Sequence, residues 1–538
     1  MADAPTTGAD LVIRALETAG VDTIFGIPGV HTLALYDALL KSDKIHHVLA
    51  RHEQGIGFMA DGYARATGKT GVAFVITGPG VTNIATALGQ AYTDSSPVLT
   101  IASNNPTPWV DGMRGALHDL KDQVGVLRSV TKSAVRVTNA ADAGNAVLGS
   151  LTLAQTGRPL PVAVEFPLDV LDDEVAVTGN LAAIPATKAA PVADQVAAAA
   201  ERLISAKRTV IYCGGGAVSS ANAEAIARLA EMLHAPVITS IQGKGAIPAD
   251  NPYFAGTAWA PGNAVDDLLQ RADLLLILGS RMGVQATHEF KMSFPREVIR
   301  VDIDPLELNL NVQPTLGLCS DVAQTASALV EALGDHNHAE GGYGTDEIAA
   351  ARAESEAGSY HAERREWPDA IRAALERDGI LATDMTQMAY VATSTYPVYE
   401  PRTFLFPNGY GTLGFGLPAA IGAKIGCPDK QVVCVVGDGG FQYSMGELAV
   451  AIQEKLGLPI VIFNDNTYSA VKEAQKWERG ERYNAVDLQG SPDFQKLAAA
   501  YGIPSKVVTT PADLTAEIKA AFGRSVPTIL EVPTEQWV

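Results

Sequence analysis

Residues 435–468 read VVGDGGFQYSMGELAVAIQEKLGLPIVIFNDNTY. An apolar run ends at Gly437-Asp438-Gly439-Gly440, a helix-length segment follows, and a second apolar run, LPIVIF (458–463), ends at Asn464-Asp465. Short apolar runs closed by Gly and Asp read as buried strands. Strand, helix and strand make a βαβ unit, whose parallel strands end at one edge of a sheet, where α/β folds bind ligands. Asp438 and Asp465 are therefore expected side by side, with Gly439 allowing close backbone approach. Two carboxylates with nearby carbonyls suit a hard cation such as Mg²⁺, which can in turn hold a diphosphate. A lone Gly-Asp-Gly reads better as a turn or a helix cap. The second acid at the next strand end favours the metal.

The same alternation extends in both directions. GILATDM (379–385), QVVCVVGDGG (431–440) and PTILEVP (527–533) complete a domain over 350–538. TVIYCGGG (209–216), APVITS (235–240), ADLLLILGS (272–280) and EVIRVDIDP (297–305) mark a central Rossmann-like domain over 190–335. VAFVITGPG (72–80), PVLTIAS (97–103) and PVAVEFP (161–167), with the helix–turn–strand segment 7–29, mark a first domain over 1–175. The fold class is α/β, with three doubly wound parallel-sheet domains. The polar stretch DHNHAEGGYGTDE (335–347) is expected to be a linker.

Composition narrows the function classes. The 538 residues carry 40 Lys+Arg against 60 Asp+Glu, a net charge of −20, which argues against nucleic acid or an anionic membrane as partner. No apolar run reaches membrane-spanning length without Gly, Pro or charge. The start, MADAPTTGADLV, shows no basic and then apolar leader. Cys213, Cys319, Cys427 and Cys434 form no CxxC pair and are expected as reduced thiols of a cytoplasmic protein.

In LARHEQGIGFMADGYARATGKTG (49–71), Glu53 opens a helix whose next residues are small or apolar. Such an acid is either a first-turn residue using the helix dipole or a working acid.

Gly-Asp-Gly followed at the next strand end by Asn-Asp resembles the signature of the thiamine diphosphate (ThDP)-dependent enzymes of the acetolactate synthase, pyruvate oxidase and 2-oxo acid decarboxylase group. The resemblance covers essentially the whole chain, in the order pyrimidine-binding, central and diphosphate-binding domain. It implies that Asp438, Asp465 and the Thr467 carbonyl ligate Mg²⁺, with Gly437, Gly439 and Gly440 along the diphosphate. It implies that His52-Glu53 supplies the glutamate that shares a proton with the aminopyrimidine, leading to a C2 ylid and, after CO₂ loss, an enamine. GYGTLGFGLPAAIGA (409–423) matches the segment that bends the cofactor, with Leu413 as the wedge and the Gly411 carbonyl as acceptor. Asn83 of TGPGVTN (77–83) lies near the glutamate, and a homodimer or homotetramer with interfacial active sites is implied.

GIPGVHTL (26–33) resembles the loop facing the thiazolium, which places Val30 and His31 in the substrate pocket. His118 and Asp119 of GALHDLKDQVGVLRSVTK (115–132) occupy the position of a Phe-Gln pair in acetolactate synthases. Two imidazoles there can relay protons. NTYSAVKEAQKWERG (466–480) brings Val471 and Ala474 to the far side, where Ala474 or Gln475 replaces the acceptor-selecting tryptophan of acetolactate synthases. Glu473 reads as half of a solvated pair with Lys472, or as a partner for a cationic substrate tail. GIPGVHT, RHEQGIGFMADGYAR and LHDLKDQ resemble decarboxylases of 5-guanidino-2-oxopentanoate. FAD is possible in the central domain but not favoured, because GGGAVSS is a weak fingerprint.

The implied activity is non-oxidative decarboxylation of a small-molecule 2-oxo acid. The alternative is an acetolactate synthase-like carboligase that joins the same intermediate to a second carbonyl compound. A non-catalytic relative would lack Glu53, Asp438 or Asp465, and a plain NAD dehydrogenase would need a GxGxxG that none of the three domains offers convincingly.

Overall fold

Each of the three segments closes into a six-stranded parallel sheet in the computed structural model, which describes residues 6–176, 181–257, 263–338 and 341–537. In the first sheet the strands lie in the order His46–Leu49, Thr23–Gly26, Gly71–Val75, Val98–Asn104, Val162–Pro167, Ser133–Arg136. In the third the order is Phe404–Leu405, Ile380–Thr383, Val432–Gly437, Pro459–Asn464, Thr528–Pro533, Ser505–Val507. Numbered along the chain within each domain, both orders are 2-1-3-4-6-5. The central sheet differs, running 3-2-1-4-5-6, the dinucleotide-binding order. Strands such as Val432–Val436 are buried throughout because helices cover both faces, so they read as unbroken apolar runs rather than alternating ones.

The first and third domains share one core. The Glu53–Thr67 helix crosses the Gly416–Gly426 helix, and Phe58, Met59 and Ile56 pack with Leu417, Ala420 and Ile421. Glycine makes the crossing possible: a Cβ on Gly422 would overlap the Met59 carbonyl, and one on Gly62 the Ala419 carbonyl. The central domain has a separate core.

The 335–347 stretch, read above as a linker, is anchored where it is described. Tyr343 is buried and donates to the Leu268 carbonyl at 2.7 Å, and the following Thr345–Ala357 helix adds Ile348 and Ala351 to the central core. Its polar composition concealed a single large anchor. All four cysteines are free, Cys213 and Cys434 buried. Among the described residues, no helix is long and apolar enough to cross a membrane.

Candidate active site

Asp438 begins the helix that follows Val432–Gly437, and Asp465 follows the end of the neighbouring strand Pro459–Asn464, as the parallel register requires. Burial first, and the nearby Asp465 second, push the Asp438 carboxyl up to about 7. Its Oδ2 is buried with no hydrogen-bond partner. Asp465 is also raised, chiefly by burial, and accepts from the Ser469 hydroxyl and from the Thr467 N–H at 3.1 Å. A buried carboxylate with an orphaned oxygen and a half-buried one beside it, both raised chiefly by desolvation, form a donor set that a cation satisfies. Thr467 is buried, with its hydroxyl donating to the Val486 carbonyl at 2.9 Å and its N–H engaged, so a ligand from this residue is its carbonyl. Among the described residues no cluster of three or more His, Cys, Asp or Glu could hold a metal. Two carboxylates suit Mg²⁺, which keeps other positions for phosphate oxygens and water.

Beside this pair stands a residue that the sequence did not single out. Asp384 follows the Ile380–Thr383 strand and is fully buried. Its carboxylate accepts from the N–H groups of Met385 (2.8 Å), Gly414 (3.0 Å) and Gly416 (2.9 Å). Burial outweighs these bonds and raises it to about 6. The loop carrying Gly411 and half-buried Leu413 is thus hung on Asp384, and a Cβ on Gly440 would lie 3.0 Å from the same carboxylate. One side chain ties the loop to the start of the Asp438 helix. Its only sequence signal was an Asp at a strand end, in GILATDM.

In the first domain, Glu53 is the opening residue of its helix. The preceding His52 caps that helix by accepting the Gln54 N–H on Nδ1 at 3.1 Å. Asn83 Nδ2 donates to the Glu53 carboxylate at 2.9 Å, so these two predicted residues meet. The third domain reaches this corner through Glu447, which accepts from the Arg51 N–H (3.1 Å) and the His52 N–H (3.0 Å). Burial pushes Glu447 up to about 7. Glu447 stands nine positions beyond Asp438, past the end of the Asp438–Ser444 helix, in the 3-10 turn Met445–Glu447. Within one chain, Glu53 therefore adjoins the far end of that segment rather than its Asp438 end.

His31 and His118 are brought together edge to face, with ring centroids 5.4 Å apart. His31 is buried, and its Nδ1 lies 3.0 Å from the Thr77 hydroxyl. Desolvation, then His118, holds its imidazole below the usual value. His118 (φ +62°) lies against Gly78 (φ +66°), where a Cβ would overlap the His118 carbonyl. The Thr77-Gly78 turn thus holds both histidines. The Asp119 carboxylate turns onto its own loop and accepts from the Ala116 N–H at 3.0 Å and from Asn105 Nδ2 at 3.3 Å. Val30, Val471 and Ala474 are exposed.

Glu473 corrects the solvated-pair expectation. Its carboxylate accepts from the Tyr360 hydroxyl and from Gln387 Nε2 at 3.2 Å, and lies 3.5 Å from His361. Lys472 turns instead to Asp487 (3.0 Å) and Gln536 (2.7 Å). Helical amphipathicity could not foresee partners 86 and 113 residues upstream.

Family models agree with this architecture. The N-terminal TPP binding domain of thiamine pyrophosphate enzymes matches residues 6–126, their central domain 196–329 and their C-terminal TPP binding domain 384–532. A Pseudomonas aeruginosa protein described as "Probable 2-ketoarginine decarboxylase" is 40% identical over 533 residues, 98% of this chain and 94% of the relative. A "Probable acetolactate synthase large subunit" of Methanocaldococcus jannaschii is 32% identical (98% and 91% covered), and the acetolactate synthase isozyme 1 large subunit of Escherichia coli is 31% identical (98% and 93%). Through all three domains and over nearly its whole length, the chain belongs to the thiamine pyrophosphate enzyme family.

Proposed function

We propose that the protein is a ThDP- and Mg²⁺-dependent decarboxylase of a 2-oxo acid, and that the acid is 2-ketoarginine, 5-guanidino-2-oxopentanoate. The observation that carries the substrate class is the His31–His118 pair, set against the turn that leads into the helix of Asn83, together with the Glu53–Asn83 contact, in a chain of this family. The guanidino tail rests on the 40% identity to the Pseudomonas aeruginosa protein. When bound, ThDP supplies the carbon nucleophile and the electron sink that loss of CO₂ requires. The chain's own residues do the rest. Asp438, Asp465 and the Thr467 carbonyl hold Mg²⁺ against the diphosphate, and the orphaned Asp438 Oδ2 supports this assignment. Asp384 fixes the loop of Gly411 and Leu413. Glu53, kept in place by Asn83, holds a proton at the aminopyrimidine. His31 and His118 face the substrate, with Val30 and Asp119 on the same loops and Val471 and Ala474 opposite.

We further propose a homodimer, or a tetramer of two such dimers, in which Glu53 of one chain meets Asp438 of another. Val30, Leu33 and Leu117 near the histidines, and Tyr443, Val471 and Trp477 near the metal half, are exposed large apolar side chains that such an interface would cover. A flavin is not favoured, since Gly214 and Gly216 pack against Gly279 and Ser280, which accounts for these glycines without a ligand. Free thiols accord with a reducing, cytoplasmic setting.

The test offers purified protein with Mg²⁺ and ThDP a panel of 2-oxo acids, recording CO₂ and identifying the organic product by NMR. An aldehyde, fastest from the guanidino acid and lost in Glu53→Gln, is the expected result. A 2-hydroxy ketone or acetolactate-type product would move the enzyme to carboligation, the reading favoured by the relatives at 31–32% identity.

A further inference from the structure

Behind His31 the first domain builds a hydrogen-bond chain whose direction can be worked out from its inner end. Ser103 closes the Val98–Asn104 strand and Thr77 precedes the Pro79–Thr93 helix; both are fully buried. Ser103 Oγ accepts the Thr77 backbone N–H at 3.1 Å and lies 3.1 Å from Thr77 Oγ1, which in turn lies 3.0 Å from His31 Nδ1. Among the described residues Thr77 Oγ1 is the acceptor within reach of the Ser103 hydroxyl. If Ser103 donates to Thr77, the Thr77 proton points to His31 Nδ1, and every buried donor is satisfied. If His31 Nδ1–H donated instead, the Thr77 proton would go to Ser103, and the Ser103 proton would be buried with no acceptor, an arrangement folded proteins avoid. Gln123 locks the frame, accepting the Gly78 N–H at 2.7 Å and donating to the Ser103 carbonyl (2.9 Å) and to Glu165 (2.8 Å). Glu165 is in turn paired with Arg136.

We infer that Thr77 and Ser103 are positioning residues that fix His31 as its Nε2–H tautomer, making it a dedicated hydrogen-bond donor to an oxygen of the bound 2-oxo acid. The inference rests on the proposed function for the identity of that acceptor, not for the tautomer. Nε2 makes no hydrogen bond within the described residues and is not sealed from solvent, so it is the ring atom free to meet a ligand. Burial favours the uncharged ring. The two histidines then divide the work. His31 donates a hydrogen bond without giving up its proton, and proton transfer falls to the less buried His118, whose loop is outside the chain from Ser103.

The test is solid-state ¹⁵N NMR of histidine-labelled, ligand-free protein, with His31→Asn assigning the ring. A protonated Nε2 and a bare Nδ1 are expected in the wild type. Thr77→Val should lose that preference and lower kcat about 10- to 100-fold, and Thr77→Ser should restore both. If the orphaned Ser103 proton unfolds Thr77→Val, the tautomer measured in the folded wild type decides the inference by itself. His31→Gln, whose amide nitrogen reaches the Nε2 position, should retain more activity than His31→Asn. A proton on Nδ1, or on both nitrogens, overturns the inference whatever the activity. The Nε2–H tautomer in an enzyme as active as its His31→Asn variant would uphold the chain's direction and overturn the substrate-facing role.

Discussion

At the scale of single residues, the proposed acid, Glu53, lies in the first domain and the proposed metal-ligand pair, Asp438 and Asp465, in the third, so the two can be disabled separately. Glu53→Gln keeps the Asn83 contact geometry but removes the exchangeable carboxyl proton. It is expected to lower kcat by about 100-fold or more, the usual worth of a positioned acid–base group. Calorimetric binding of Mg²⁺-ThDP should persist, because Asp438 and Asp465 are untouched. Loss of binding together with turnover would make Glu53 a structural residue. Asp384→Asn should show the opposite pattern. The carboxylate accepts N–H bonds from Met385, Gly414 and Gly416. An amide turns one oxygen into a donor facing those donors, and a hydrogen bond to a charged group is worth about 1.5–3 kcal/mol. ThDP affinity should fall by about tenfold or more with the far-ultraviolet circular dichroism unchanged. An unaltered affinity would remove Asp384 from the cofactor site.

At the scale of elements, what the sequence revealed and what it hid divide along one line. Asp438 and Asp465 were legible because a strand ending in Gly-Asp and the next ending in Asn-Asp must share an edge of a parallel sheet. The place of Glu53 at the head of an apolar helix was legible, but its position alone fitted a first-turn residue as well, and only the resemblance of His52-Glu53 to the family motif gave it a role. Asp384, Glu447 and Thr77 were not, since each acts on a partner brought close only by the fold: Glu447 holds N–H groups nearly four hundred residues upstream. The helix crossing follows the same rule, because Gly62 and Gly422 read as ordinary helix glycines until their neighbours are known. Alanine gains about 0.5–1 kcal/mol of helix propensity over glycine, but Gly422→Ala drives a methyl into the Met59 carbonyl, and overpacking costs about 1–3 kcal/mol or more. Overlap with backbone should win, giving a lower melting temperature; an unchanged or higher one would show that the helices separate freely. Glu447 makes a prediction in pH. Its folded value, about 7, lies above the ordinary carboxylate range. Its protonated form is therefore favoured on folding, and the stability that proton contributes is lost as pH rises from the ordinary carboxylate value, 4.5, through the folded value of about 7. Glu447→Gln, neutral at every pH and still an acceptor, should gain on the wild type by about 3 kcal/mol between about pH 4.5 and 7.5. A constant difference in melting temperature across that range would mean that Glu447 is not held protonated.

At the scale of the whole molecule, the first and third domains share one strand order, 2-1-3-4-6-5, yet hold different halves of the proposed site. Within one chain they are joined back to back, through the Glu53–Thr67 and Gly416–Gly426 helices and the Glu447 carboxylate, so Glu53 adjoins the wrong end of the Asp438 segment. In the proposed dimer a second chain, related by a two-fold axis, offers the missing half to each site. Complementation tests this directly. Glu53→Gln and Asp438→Asn should each be inactive. Unfolded and refolded together in equal amounts, they form mixed dimers in which one site takes Glu53 from the Asp438→Asn chain and Asp438 from the Glu53→Gln chain, and is intact. The opposite site carries both lesions. Random pairing puts half of the dimers in this mixed class, with half of their sites native, so about a quarter of wild-type activity should return. No recovery, with mixed dimers demonstrated by mass spectrometry, would place Glu53 and Asp438 in the same chain's site and overturn the shared interface.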